Sequence, residues 1–207
     1  MLSANEIAEL HDSLTREWHL RPPAPEAELP SGTNVWKMVV ARQHLANFEL
    51  WHTEDEARRP TASDADLAAV KRRIDHTNQR RNDLTEALDT ALLEWLEKRH
   101  LPNPQAELNS ESAGLIIDRL SILALKIYHT QEEVHRAEAS AEHVERNRQR
   151  LNILLEQRAD LTQCLDRLWE QTQLGSRRFR IYRQLKMYND PSLNPAIYQE
   201  SAPLDRE

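Results

Sequence analysis

The placement of proline and glycine constrains this chain more than any other feature of its sequence. No proline occurs from Gln105 to Asp190, and the 10 prolines fall at 22–30, 60, 102–104, 191–195 and 203. The only three glycines, Gly32, Gly114 and Gly175, stand between segments whose apolar residues recur every three or four positions. Because proline interrupts helices and glycine favours turns, this pattern predicts an all-α fold.

Apolar spacing predicts a short helix at residues 4–20 and four longer helices at residues 34–59, 64–100, 115–137 and 142–174. Ser3 should cap the first helix, since Glu6 follows at capping-box spacing, and Ser63 or Asp64 should cap the third. A turn near residues 138–141, with Ser140 as the next cap, makes the last two helices a long antiparallel hairpin. The class is therefore an all-α bundle of five or six helices.

A chain of 207 residues is long enough for one domain with a substantial core. We expect an N-terminal helix and proline-rich loop at 1–33, the helical bundle at 34–188 and a tail at 189–207. The steps Asp190–Pro191 and Asn194–Pro195 read as turns. They predict that this tail is ordered, non-helical and folded back on the bundle.

The net charge of −7 argues against general binding of nucleic acid. The N-terminus has neither the basic nor the apolar part of a signal peptide, and no apolar run is long enough to span a membrane. We therefore expect a cytoplasmic protein. Cys164 is the only cysteine in the sequence, so a disulfide framework is excluded. Its apolar neighbours predict a buried, inert thiol.

Polar residues interrupt the apolar faces of the second and third helices. Leaving a buried amide unpaired costs about 1–3 kcal/mol, and burying an isolated charge costs far more. These faces are therefore either a satisfied internal network or the wall of a ligand pocket. The interrupting residues are Gln43, Asn47 and Glu54 on one helix, and Thr77, Asn78, Arg81, Asn82 and Thr85 on the next.

Arginines extend this polar set. Arg119 falls on the main apolar stripe of the fourth helix, so we expect it to be buried beside an anion. The basic run from 177 to 186 predicts a final helix to about Asn189, which would bring Arg183 and Lys186 close. Amides and guanidinium groups together suit a small anionic, hydroxyl-rich ligand. The candidate ligand-binding residues are Asn47, Trp51, Glu54, Asn78, Arg81, Asn82, Arg119, Arg183 and Lys186.

Other chemistries have weaker support. Glu54 and Asp55, with Asp83, Glu86 and Asp89, have the ligand types and helical spacing of a Mg²⁺-dependent nucleotide hydrolase, but a solvated acidic face explains them as well. His44, His52, His76, His129, His135 and His143 contain no close ligand motif, so we expect no zinc site. We also expect no cofactor, and assign no catalytic residue.

Four stretches carry a family resemblance: NFELWHTEDEAR, KRRIDHTNQRRNDLTEALD, GLIIDRLSILALKIYH and YRQLKMYNDPSLNP. Their order resembles the 4254 family of bacterial domains of unknown function, over nearly the whole chain after residue 30. The resemblance implies a place in cell-envelope polysaccharide synthesis, with a glycosyltransferase as a partner. It assigns no residue a role.

Three functions stay open on the sequence. The first is binding of a small anionic or sugar-phosphate-like ligand, or of a glycosyltransferase. The second is a Mg²⁺-dependent nucleotide pyrophosphohydrolase. The third is a purely structural helical interaction module, which predicts polar faces that pair fully and leave no cavity. The sequence does not decide between a monomer and a homo-oligomer.

Overall fold

The computed structural model describes residues 2–23, 35–187 and 190–198, so most of the predicted proline-rich loop, from residue 24 to residue 33, lies outside the described residues. It confirms the all-α class. Two two-residue strands, β1 (Glu107–Leu108) and β2 (Arg177–Arg178), pair in parallel beside the helices. The helices are α1 (Ala4–Leu20), α2 (Val35–Glu56), α3 (Asp64–Glu97), α4 (Ala113–His135), α5 (Ala141–Gln173) and the single turn α6 (Pro195–Tyr198).

The helix starts follow the predicted caps. The hydroxyl of Ser3 accepts from the backbone of Glu6, whose carboxylate accepts in return from the backbone of Ser3. Ser63, rather than Asp64, caps α3 with the same reciprocal arrangement, and Ser140 caps α5. Each cap satisfies backbone N–H groups that a helix leaves unpaired at its start.

Helix α4 is the centre of the bundle and contacts α1, α2, α3 and α5. A short turn at 136–140 joins it to α5, and the two form the predicted antiparallel hairpin. The core around α4 is aliphatic and includes Ile7, Val40, Leu88, Leu92, Leu96, Ile116, Ile117, Leu120, Leu165 and Leu168. No helix among the described residues is both long and apolar enough to cross a membrane.

The expected burial of Arg119 is wrong. Its side chain is 55% exposed and pairs with Glu111, with Nη1 and Oε2 3.0 Å apart. Arg119 and Lys126, seven residues apart, are the exposed positions in the middle of α4. Because α4 is apolar nearly all round, it has no distinct polar face. The sequence therefore does not show which of its few polar residues faces solvent. The buried charge on this helix is the neighbouring Asp118.

The expected burial of Cys164 is also wrong, because its side chain is exposed. Leu161, Leu165 and Leu168 form the buried stripe of α5. Cys164 lies next to this stripe in sequence but outside it on the helix surface, so its thiol is accessible.

The predicted basic C-terminal helix does not form. Gly175 has a φ of 72°, the left-handed conformation that ends α5. The chain then runs extended as β2, where Arg178 Nε donates to Ala106 O over 2.9 Å. Phe179, only 2% exposed, enters the core directly afterwards. The stabilisation gained by burying the Phe179 ring from an extended segment exceeds the local preference of this basic stretch for a helix.

The structure describes residues 190–198 of the predicted C-terminal tail. Residues 190–194 form turns, and Pro195–Tyr198 is one helical turn. Just before them, Gln184 N donates to Glu86 Oε1 on α3 over 3.0 Å, while Leu193 is about half exposed. Residues 188, 189 and 199–207 lie outside the described part of the chain, so docking of the whole tail stays a prediction.

Candidate functional site

The carboxylate of Asp118 on α4 is the centre of a buried hydrogen-bond network. Gln43 Nε2 and Asn47 Nδ2, one turn apart on α2, donate to Oδ1 over 2.6 and 2.9 Å. Arg81 on α3 donates from Nε to the same oxygen over 2.8 Å and from Nη2 to Oδ2. Two amides and a guanidinium thus surround a carboxylate that is 6% exposed, as a buried charge requires.

A second branch extends the network to α1. Asn47 Nδ2 also donates to Ser121 Oγ over 2.9 Å. His44 Nδ1 lies 2.7 Å from the same hydroxyl oxygen, and His44 Nε2 lies 2.9 Å from Thr15 Oγ1. The network therefore ties four helices together through side chains and fixes their relative rotation.

His44 of this network and His11, which stacks on it, are uncharged at neutral pH. His44 stacks on His11 and Trp18, with ring centroids 4.5 and 5.2 Å apart. Burial lowers the pKa of His11 to about 3. Burial, followed by the proximity of His11, lowers the pKa of His44 well below its usual range. The Arg81–Asp118 ion pair is therefore the charged part of this buried network.

A cavity of about 320 Å³ lies between α2, α3 and α4, against the outer side of this network. Its floor includes Asn47 and Arg81, so two members of the network are also part of its wall. The lining residues are Asn47, Leu50, Trp51, Glu54, Asp55, Arg58, Arg81, Ile122 and Leu125.

Both cations in the cavity wall already have anionic partners. Arg81 pairs with Asp118, and Arg58 Nη1 lies 2.9 Å from Glu54 Oε2. Asp55 adds a further carboxylate. The wall is therefore balanced or slightly negative, and a strongly anionic ligand would have to displace Asp118 from Arg81 or Glu54 from Arg58.

The structure brings together four of the nine predicted ligand-binding residues: Asn47, Trp51, Glu54 and Arg81 line this one cavity. Asn78 and Asn82 are partly buried on α3 but lie outside its lining. Arg119 points to solvent. Arg183 is exposed in the segment after β2, and Lys186 lines a different cavity near that segment.

The carboxylates considered for Mg²⁺ do not form one ligand set. Asp83 is exposed and accepts from Gln79 over 2.8 Å. Asp89 is buried, and its Oδ1 accepts from Gly114 N over 2.6 Å. Glu54 is on the cavity wall with Arg58. Within the described ranges these acids form no group compact enough to hold an ion, because their helical spacing directs them to different surroundings.

A cluster of histidines was missed from the sequence. His19 on α1, His52 on α2 and His129 on α4 are half-buried, and one ring nitrogen of each lies within 4.8 Å of the other two. No short spacing announces this cluster, since its members come from three helices that only the fold brings together. His19 carries no signal of this role in the sequence.

Aromatic rings surround the cluster. His19 stacks on Tyr128 with centroids 4.1 Å apart, and His129 stacks on Trp51 with centroids 5.0 Å apart. Phe48 packs edge-on against His52. Burial, then the proximity of His19 and His129, lowers the pKa of His52. Trp51 thus separates the histidine cluster from the cavity beside Asp118.

The fold and these two features define a helical-bundle protein with a cavity of mixed apolar and polar lining and a separate histidine cluster. A family model described as "Protein of unknown function (DUF4254)" matches residues 37–181, and the chain belongs to that family. This match contains three of the four stretches that carry the resemblance and ends before YRQLKMYNDPSLNP. No curated protein and no solved structure matches the chain.

Proposed function

We propose that the protein binds a small, hydroxyl-rich ligand of sugar-like chemistry in the cavity between α2, α3 and α4. The observation that carries this proposal is the cavity wall itself. The wall combines the indole of Trp51, the amide of Asn47 and the charged pair of Glu54 and Arg58 around about 320 Å³. This size and this mixture of an aromatic surface with a few fixed polar groups are typical of sites for small molecules.

The charge balance narrows the class of ligand. Arg81 and Arg58 are both paired with carboxylates, so a diphosphate would have to compete with a carboxylate for either positive charge. Hydroxyl groups can accept from the remaining N–H groups and donate to Glu54 without breaking these pairs. We therefore favour a neutral sugar, or a sugar with a single anionic group, over sugar nucleotides and other multiply charged anions.

The internal network supports this role. A purely structural module predicts polar faces that pair fully and leave no cavity, whereas Asn47 and Arg81 both complete the Asp118 network and line the cavity. Side chains held in place by such partners present a ready-made geometry to a ligand. Participation in cell-envelope polysaccharide synthesis, with a glycosyltransferase as partner, rests on the family resemblance alone and is a separate proposal.

Thermal shift measurements with free sugars, sugar phosphates and sugar nucleotides test the proposal. A ligand present at 100 times its dissociation constant adds about 2.7 kcal/mol of stability, which such measurements resolve. Glu54→Gln should weaken the response, because it removes a charged acceptor from the wall. Glu56→Gln is the matched control: Glu56 also lies on α2 and also pairs with an arginine, Arg73, but it is not part of this cavity.

Two outcomes would contradict the proposal. One is the absence of any stabilising compound among sugars and sugar phosphates at millimolar concentration. The other is an equal response of wild type, Glu54→Gln and Trp51→Leu to the compound that stabilises wild type. A response to sugar nucleotides alone would replace the neutral ligand by a multiply charged one.

A further inference from the structure

We propose that His19, His52 and His129 form a binding site for a divalent transition-metal ion of the zinc type. This site is independent of the proposed sugar-like ligand. Neutral imidazole nitrogen is a preferred ligand of zinc, copper and nickel ions. Three histidines with one further coordination position are a recurrent zinc ligand set in proteins.

The spacing of the three rings suits a shared ion. One nitrogen of each ring lies within 4.8 Å of the other two. Bonds of about 2.0–2.1 Å to a tetrahedral zinc ion would place such nitrogens about 3.3 Å apart. Turning these half-buried rings so that each nitrogen moves by about 1 Å is enough to bring the nitrogens to this separation.

The unused nitrogens are the strongest argument. Nε2 of His19, of His52 and of His129 is buried and has no hydrogen-bond partner within the described part of the chain. An unsatisfied buried polar atom costs about 1–3 kcal/mol, and here three such atoms belong to rings in mutual contact. Ring packing alone leaves all three unpaired, whereas one ion would satisfy all three.

Hydrogen bonds at the opposite nitrogens prepare two of the rings. His19 Nδ1 lies 2.7 Å from Thr15 O, and His129 Nδ1 lies 2.8 Å from Glu132 Oε2. A carbonyl and a carboxylate only accept, so each Nδ1 carries the hydrogen and donates it. In a neutral ring, Nε2 then has the free electron pair that a metal needs. A carboxylate behind a ligating histidine is a common supporting contact in zinc sites.

The ligand set leaves a coordination position open. No fourth histidine, cysteine, aspartate or glutamate joins the cluster among the described residues, and structural zinc sites normally use four protein ligands. His129 also lines a cavity of about 520 Å³, and His52 lines another of about 670 Å³. Two cavities therefore border the cluster, and water or a small solute entering from one of them would complete the coordination.

Zinc titration of the full chain tests the site. The background should be Cys164→Ser, because an exposed thiol such as that of Cys164 can itself bind zinc. After dialysis against a chelator, we expect calorimetry to show about one zinc ion bound per chain and thermal melting to show a higher Tm. Cobalt(II) should give the visible absorption of a four- or five-coordinate nitrogen site, without a thiolate band.

Variants assign the site to these residues. His52→Ala and His129→Ala should each weaken zinc binding by more than about 100-fold, since loss of a supporting partner alone typically costs 10–100-fold. Glu132→Gln should weaken it by about 10–100-fold. His135→Ala is the matched control, because His135 lies on the same helix as His129 but outside the cluster. It should bind zinc as the background does.

The cobalt spectrum of the unmutated site keeps the proposal testable even if a histidine variant fails to fold. An octahedral, water-like cobalt spectrum would overturn the proposal, as would the absence of zinc binding at micromolar concentrations. Zinc binding that is equal in His52→Ala, His129→Ala and the background would also overturn it, because the ion would then lie elsewhere.

Discussion

Arg81 on α3 and Asp118 on α4 form a two-point hydrogen-bonded ion pair where α2, α3 and α4 meet. The hydrogen bond to Asp118 raises the pKa of Arg81, which keeps this guanidinium charged under all ordinary conditions. Because Arg81 also lines the cavity, the same contact stabilises the fold and shapes the proposed ligand site. Changes at Arg81 should therefore affect stability as well as binding.

Replacing Arg81 by methionine tests the structural part of this contact. The substitution keeps much of the aliphatic stem but leaves the buried carboxylate of Asp118 with only the amides of Gln43 and Asn47. We expect a loss of about 2–4 kcal/mol in the free energy of unfolding, measured by urea denaturation at pH 7.

Arg80→Met is the matched control for this variant. Arg80 is the neighbouring residue on α3 and pairs with Glu49, but both side chains are one-third or more exposed. Pairs of this kind contribute about 0–1 kcal/mol. Equal losses in Arg80→Met and Arg81→Met would show that the burial of Asp118 does not distinguish the two contacts.

Gly114 should not tolerate alanine. A Cβ at this position would lie 2.6 Å from Thr85 O and 2.9 Å from Asp89 Cγ. Glycine to alanine in a helix usually gains about 0.5–1 kcal/mol. Here we expect a loss of about 1–3 kcal/mol, because the carbonyl of Thr85 belongs to the backbone of α3 and cannot rotate away. A denaturation midpoint equal to or above wild type would contradict this close approach of α3 and α4.

The sequence predicted the helices better than it predicted which side chains meet. Ser3, Ser63 and Ser140 act over one helical turn, so their caps can be read directly. The partner of Asp118 is 37 positions away in sequence, and it could be chosen only once the rotation of α4 was known. The apolar surface of α4 conceals that rotation, so the sequence pattern favours Arg119 over Asp118 as the buried charge.

The same limit applies to the candidate site. Asn47, Trp51, Glu54 and Arg81 were found because polar residues interrupted a predicted packing face. No such signal existed for His19, His52 and His129, whose common feature is their position in space. Phe179 was missed for the converse reason: its burial depends on a pairing of β2 with β1 that local spacing does not contain.

Substituting Phe179 tests whether the segment after α5 packs into the core instead of forming the predicted basic helix. Its side chain is 2% exposed within the main core, so Phe179→Ala should cost about 3–5 kcal/mol. Tyr182→Ala, at a ring that is 42% exposed, should cost about 1 kcal/mol or less. Urea denaturation of both variants measures the difference. A loss below 1 kcal/mol for Phe179→Ala would mean that the segment after α5 does not pack as described.

Asp89 should make the protein more stable on mild acidification. Burial raises the pKa of Asp89 to about 6, and the proximity of Glu86 contributes in the same direction, against the hydrogen bonds from Ser112 and Gly114. Between pH 4 and pH 6 the folded state therefore binds more protons at Asp89 than the unfolded state does. Its contribution to stability is present below about pH 4 and is lost as the pH rises through about 6.

Asp89→Asn removes this titration and keeps an oxygen that accepts from Gly114. The free energy of unfolding of wild type relative to the variant should rise, by on the order of 1–3 kcal/mol, when the pH is lowered from 7 to 4. Urea denaturation of both proteins at each pH gives the difference, in which groups common to both largely cancel. A difference that does not change with pH would show that Asp89 ionises normally in the folded protein.

His11 should act in the opposite direction over an overlapping range. Burial lowers the pKa of His11 to about 3, whereas the unfolded chain protonates it near 6.5. Both ring nitrogens are buried without a partner in the described residues, so protonation of His11 in the folded state is strongly disfavoured. The folded state thus binds fewer protons than the unfolded state between these values, and stability is lost as the pH falls below about 6.5.

Substituting leucine for His11 should therefore make the protein less sensitive to acid. Between pH 7 and pH 4 we expect wild type to lose on the order of 1–3 kcal/mol more than His11→Leu. His44 retains its burial in the variant, so part of the acid sensitivity should persist.

His135→Leu, at an exposed position, controls for the loss of a histidine as such and should follow wild type. An acid response of His11→Leu equal to that of wild type would mean that His11 gains solvent or a partner when it is protonated. The opposite signs at Asp89 and His11 explain why a single pH profile of wild type would assign neither group, and why the two variants must be measured separately.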